Sequence, residues 1–142
     1  MTPLKVRYVL VSDYATVDHA GKLVIAGLYT EDMVVPALPA MFSTLVITIL
    51  TETPTESVSF RFTVEAPSGA VAAGGGGKLD PSENLQGTRP RAIVGFQFNS
   101  IVFTEGGEYK LVVSDMDGPD RHVIHQFRVV VDPNARPDNV VV

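Results

Sequence analysis

The residue types able to do chemistry are few, and their spacings fit no catalytic set. Gly77-Lys78 closes the run Ala-Ala-Gly-Gly-Gly-Gly-Lys-Leu, which has the composition of a phosphate-binding loop. Such a loop needs a glycine five residues before the second one, a Ser or Thr after the lysine, and a helix to follow. Position 72 is alanine, position 79 is leucine and no helical pattern follows, so the run reads as a flexible loop. His122 and His125 have the spacing of a metal pair on a helix. In a strand, which is what this segment resembles, they point to opposite sides. Asp115, Asp117 and Asp120 have the oxygen density of a calcium site but lack the glutamate of an EF-hand. Asp and Gly are also what a tight turn wants. The turn is the reading adopted, with calcium at that tip as the alternative. Ser12, Asp13 and His19 could suggest a hydrolytic triad, yet no G-x-S-x-G elbow accompanies them. Asp13 reads instead as an acceptor of backbone N–H bonds at a strand end. On these grounds no catalytic, cofactor-binding or metal residue is assigned.

These residues must be positioned by strands. Val6–Val11 and Lys22–Thr30 are rich in β-branched and aromatic side chains. Between them Asp18-His19-Ala20-Gly21 has the residues of a type I turn closed by a left-handed glycine, which folds Thr16-Val17 back on Lys22-Leu23. Gly27 marks a bulge or a close neighbour. Val6–Val11 is apolar on both faces, so both should be covered. Pro36 and Pro39 make Glu31–Met41 a crossing loop between sheets. Phe42–Thr51 alternates. Val58–Glu65 alternates most cleanly, with Val58, Phe60, Phe62 and Val64 on one face. Segment 68–91 reads as a mobile Gly-rich loop, since ordering four consecutive glycines costs much backbone entropy. Ala92–Thr104 carries Val94, Phe96 and Phe98, then Ile101 and Phe103 one residue out of phase, a mismatch that a β-bulge near Asn99-Ser100 would absorb. Glu108–Asp115 points Tyr109, Leu111 and Val113 inward, and its Gly-x-Tyr entry has the form of a tyrosine corner. Arg121–Val131 is the last strand, and 133–142 a frayed tail.

Seven or eight short strands with regular turns and no helical pattern predict an all-β, antiparallel β-sandwich, immunoglobulin-like or Greek-key. One domain is expected over 1–132. The chain has 142 residues, 45% of them hydrophobic and 19% charged, which is a globular composition. Its net charge of −5 argues against nucleic acid or an anionic membrane as partner. There is no cysteine, which excludes disulfides and thiol chemistry and agrees with a cytoplasmic setting. Lys5 and Arg7 interrupt the first apolar run as a signal peptide would not, and no apolar stretch is long enough for a transmembrane helix.

The run DYATVDHAGKLVIAGLY, Asp13 to Tyr29, resembles the opening of small uncharacterised bacterial proteins grouped as a domain of unknown function. Members share an Asp-Tyr/Phe-Ala corner, a Gly-Lys-Leu turn exit and an Ile-x-Gly-hydrophobic-aromatic strand. Leu38-Pro39, Asn84-Leu85 and Gly107-Glu108-Tyr109 are similar to later parts of that pattern. The resemblance implies an all-β sandwich and no known activity.

The expected function is therefore a non-enzymatic module that binds a protein partner or self-assembles, with an enzyme on a sandwich scaffold as the alternative. Val24, Leu28, Val46 and Leu50 are surplus apolar residues on faces that a two-layer sandwich leaves open, and they are the interface candidates for a homodimer. The alternation of Val58–Glu65 makes Phe62 a core residue. Phe62→Ala should cost about 3–5 kcal/mol on urea unfolding; a loss under about 1 kcal/mol would mean the strand is misassigned.

Overall fold

Alternating apolar residues need two sheets to bury them, and two five-stranded sheets are what form. The computed structural model describes residues 4–30, 32–52, 54, 56–80, 91–116, 119–137 and 139–142. In the first sheet β1 (Val6–Val17) pairs with β2 (Leu23–Leu28), and β4 (Ala40–Glu52) pairs with β1 on one edge and β7 (Arg91–Phe103) on the other. The short β10 (Val140–Val141) also lies along β4. In the second sheet the order is β3 (Met33–Val35), β9 (Arg121–Val131), β8 (Gly107–Asp115), β5 (Val58–Glu65) and β6 (Val71–Leu79). All pairs are antiparallel except β3 with β9. The chain changes sheet between β2 and β3 and returns by β4, so the proline-broken segment does cross, carrying a short edge strand with it.

The core lies between the sheets. Phe60, Phe62, Val64, Leu45, Ile47, Ile49, Tyr109 and Leu111 are fully buried. Phe62 stacks on Phe96 with ring centroids 4.6 Å apart, and Phe103 meets Tyr109 edge-on at 4.9 Å. Such pairs add ~0.5–1.5 kcal/mol beyond burial. The buried Tyr109 hydroxyl donates to the Glu105 carbonyl at 2.8 Å, forming the expected tyrosine corner. The β1–β2 turn is also as read: Gly21 has φ of 80°, and Asp18 Oδ1 accepts from the amides of Ala20 and Lys22.

Five local readings are corrected. The loop expected over 68–91 is a strand over Val71–Leu79, paired with β5 in register from Phe60↔Gly77 to Val64↔Ala73; residues 81–90 lie outside the described ones. The glycines are there for space. A Cβ at Gly77 would stand 2.8 Å from Phe60 Cζ, and one at Gly75 would stand 3.4 Å from the Phe96 ring. The tail is not frayed, because Val140↔Phe42 and Val141↔Met41 join it to β4. No bulge shifts β7 against β4, since Thr44↔Asn99 and Phe42↔Ile101 keep one register. Ser100 adopts φ of 63°, and both strands change phase together, so Phe42 and Ile101 face the core alongside Leu45 and Phe98. The outer face of β1 is uncovered at Tyr8 and Tyr14. Finally, a register shift between Leu111 and Val112 sets His125 opposite Leu111 and His122 opposite Val113, so the two histidines share a face after all.

Gly77→Ala should lower stability by about 1–3 kcal/mol through overpacking against Phe60. Gly95→Ala, where a Cβ meets open space, should not. Equal urea midpoints for the two variants would disprove the tight contact.

Candidate functional site

Strand alternation assigns every side chain of the first sheet to one of two faces. Val9, Val11, Ile47, Ile49, Val94 and Phe96 belong to the core, so their neighbours face out. Cross-strand pairing then arranges the outer face in rows: Tyr8–Leu50–Ile93, Leu10–Thr48–Gly95, and Leu28–Ser12–Val46–Gln97. Tyr14, Val24, Met41, Val102 and Val141 extend it. None of these side chains is charged, although the chain carries 27 charged residues (11 basic plus 16 acidic); the next outward position of β4, Glu52, is charged and pairs with Lys5 at the end of the face. Tyr8, Tyr14, Val24, Leu28, Ile93, Val102 and Val141 are 40–61% exposed. Contiguous solvent-facing apolar side chains are the feature to weigh as a candidate surface. The second sheet mixes exposed apolar residues, Val34, Val71 and Val123, with charge. Its outer side carries Arg61, Glu65, Lys110 and Arg121, with Glu65 and Arg121 joined as an ion pair.

The four interface candidates all fall on this one outer face. Val24 and Leu28 are exposed and Leu50 is half-buried. Val46 is only 6% exposed, because β1 and β7 flank it, so it supports the face from beneath. At its centre the Thr48 hydroxyl is buried with no hydrogen-bond partner among the described residues.

A second feature lies at the open side of the sandwich, a cavity of about 380 Å³ lined by Val11, Tyr29, Thr30, Asp32, Glu108, His125, Gln126, Phe127 and Arg128. Asp32 accepts from Arg128 Nε at 3.2 Å and Nη2 at 2.7 Å, and the guanidinium holds its carboxyl below the usual range. The bulge in β9 aims His125 into this space. Burial lowers its pKa, and no hydrogen bond or ion pair holds it among the described residues. Nucleophilic catalysis needs a nucleophile bonded to its base, and His125 has no such partner. Tyr29, beside the cavity, donates to Asp13 Oδ1 at 2.6 Å; burial and then that carboxylate raise its pKa to about 12. Asn139 Nδ2 donates to the same oxygen at 2.6 Å.

The other predicted positions stay apart. Asp13 accepts from side chains and not from the backbone amides expected of it. Its carboxylate also explains Gly27, where a Cβ would meet Asp13 Oδ2 at 2.4 Å. The Ser12 hydroxyl donates to the Tyr14 carbonyl, and His19 sits exposed in its turn. Asp115 and Asp120 flank a turn closed by Asp115 N–H to the Asp120 carbonyl, while Asp117 lies outside the described residues. No group of three possible metal ligands gathers among the described residues. Asn139 went unread because its partners are 126 and 110 residues away in sequence.

Among the described residues, a β-sandwich of ten strands, with one outer face apolar and uncharged at its middle and no catalytic set assembled, defines the class of protein. The chain belongs to a family of unknown function, DUF6941, whose model matches residues 7–131. No curated protein matches it. No helix among the described residues is long and apolar enough to cross a membrane.

The histidine predicts a pH dependence. Its folded pKa lies below the ordinary 6.5, so on acidification the unfolded chain takes up a proton first. Stability is then intact above about pH 6.5 and lost as pH falls through the folded value. Asp32, Glu108, Arg128 and Tyr29 line the same cavity and are unaltered in His125→Gln. That variant should show a smaller fall in urea midpoint between about pH 7 and pH 5 than wild type; an identical fall would remove His125 from the account.

Proposed function

We propose that this protein is a non-catalytic module that self-associates through the outer face of its first sheet, with a second copy as the occupant. The observation that carries the reading is the absence of charge across the middle of that face, with Glu52 and its partner Lys5 at one end. In a chain of net charge −5, a two-fold contact between face centres without charge brings no like charges together. Tyrosines at the rim and aliphatic residues between them suit such a contact. The net negative charge supports neither a nucleic-acid nor a membrane partner, and the cysteine-free chain supports a cytoplasmic setting.

Gly95 and Ile93 test this without disturbing the core, since a Cβ at 95 meets open space and Ile93 is exposed. Wild type should be a dimer by analytical ultracentrifugation at tens of micromolar. Gly95→Lys and Ile93→Lys should be folded monomers whose melting temperatures, unlike that of wild type, do not depend on protein concentration. A monomeric wild type, or dimers in both variants, would overturn the reading.

A further inference from the structure

Strand β1 stays paired with β4 only as far as Ser12↔Val46. Beyond that point β4 has a free edge at Met41 and Phe42, and β10 fills it. Asn139 stands at the junction. Its carbonyl accepts from the Ser43 amide at 2.9 Å and the Ser43 hydroxyl at 3.0 Å. Its Nδ2 donates to Asp13 Oδ1 at 2.6 Å and to the Tyr29 oxygen at 3.0 Å. The next residue, Val140, packs against the core, and Val141 faces outward. The slot therefore reads an extended peptide in three ways: a side-chain amide against a carboxylate, a carbonyl against a serine, and an aliphatic residue against the core. An acid in place of the amide would set two carboxylates together.

We propose that this slot on β4 is an acceptor site for an extended Asn-aliphatic-aliphatic peptide, and that the Asn139–Val141 segment of a second copy occupies it in trans. The chain's own tail demonstrates the chemical fit, and a second copy offers the same groups. The receptor residues Asp13, Tyr29 and Ser43 lie within the family-matched 7–131, whereas the tail lies beyond it. The bonds of Asn139 and two residue pairs of β10 hold the tail in cis, where it competes with a second copy's tail at an effective concentration of order millimolar. Exchange between identical copies makes no new kind of bond, which keeps its cost low. The inference does not rest on face-to-face association.

The absence of native cysteine makes the test direct. Met41 and Val141 are cross-strand partners. A chain with both Met41→Cys and Val141→Cys should close within itself on oxidation, and failure to close would disprove the pairing. Mixing a Met41→Cys acceptor with a Val141→Cys donor at high concentration should give a covalent heterodimer. Asn139→Asp should then act oppositely in the two chains. In the acceptor it expels the cis tail and raises the yield several-fold; in the donor it lowers the yield several-fold. The heterodimer should persist when both chains also carry Gly95→Lys, which separates tail exchange from face association. No heterodimer, equal effects of Asn139→Asp in either chain, or loss of the product with Gly95→Lys would each overturn the proposal.

Discussion

Hydrogen bonding along both edges of β4 is the constraint on which the rest of the structure depends. A strand paired on each side has no free N–H or C=O groups to satisfy, so its side chains alone decide what it does. Its inner residues Leu45, Ile47 and Ile49 form one wall of the core. Its outer residues Val46, Thr48 and Leu50 form the middle of an uncharged face. Where β1 stops covering one edge, β10 takes over, and Asn139 seals the junction. The fold, the candidate interface and the tail slot are thus three consequences of one central strand.

The glycine run shows how an apparently weak stretch becomes a structural element. Glycine is costly to order, and a strand of four glycines has little to contribute through side chains. Here the aromatic rings supply the contact. Phe60 and Phe96 occupy the space that Cβ atoms at Gly77 and Gly75 would need, and β5 provides the hydrogen bonds. The ordering entropy is offset by burying rings that would otherwise stand at the open side of the sandwich.

The two sheets present contrasting surfaces. Ion pairs such as Glu65–Arg121 and Asp32–Arg128 decorate the second sheet and its margin. Exposed pairs of this kind stabilise little, but they keep that side solvated. On the first sheet they lie only at the ends, as Lys5–Glu52 and Asp18–Lys22 among the described residues. The difference is a property of the pairing register, not of any one residue.

By itself the sequence determined the all-β class, the inward faces of β5 and β8, the β1–β2 turn and the tyrosine corner. Each depends on local chemistry or on period-two alternation, which neighbours along the chain display. It also placed Val24, Leu28, Val46 and Leu50 outside the core, though not together. Only the tertiary structure decided that they share one face, that Val46 is already covered, and that Gly74–Gly77 pair as a strand. It alone brought Asn139 to Asp13 and Tyr29, and it set His122 and His125 on one side through a bulge. These outcomes depend on register between strands far apart in sequence, and register is fixed by summed packing across the sheets, which no local pattern encodes.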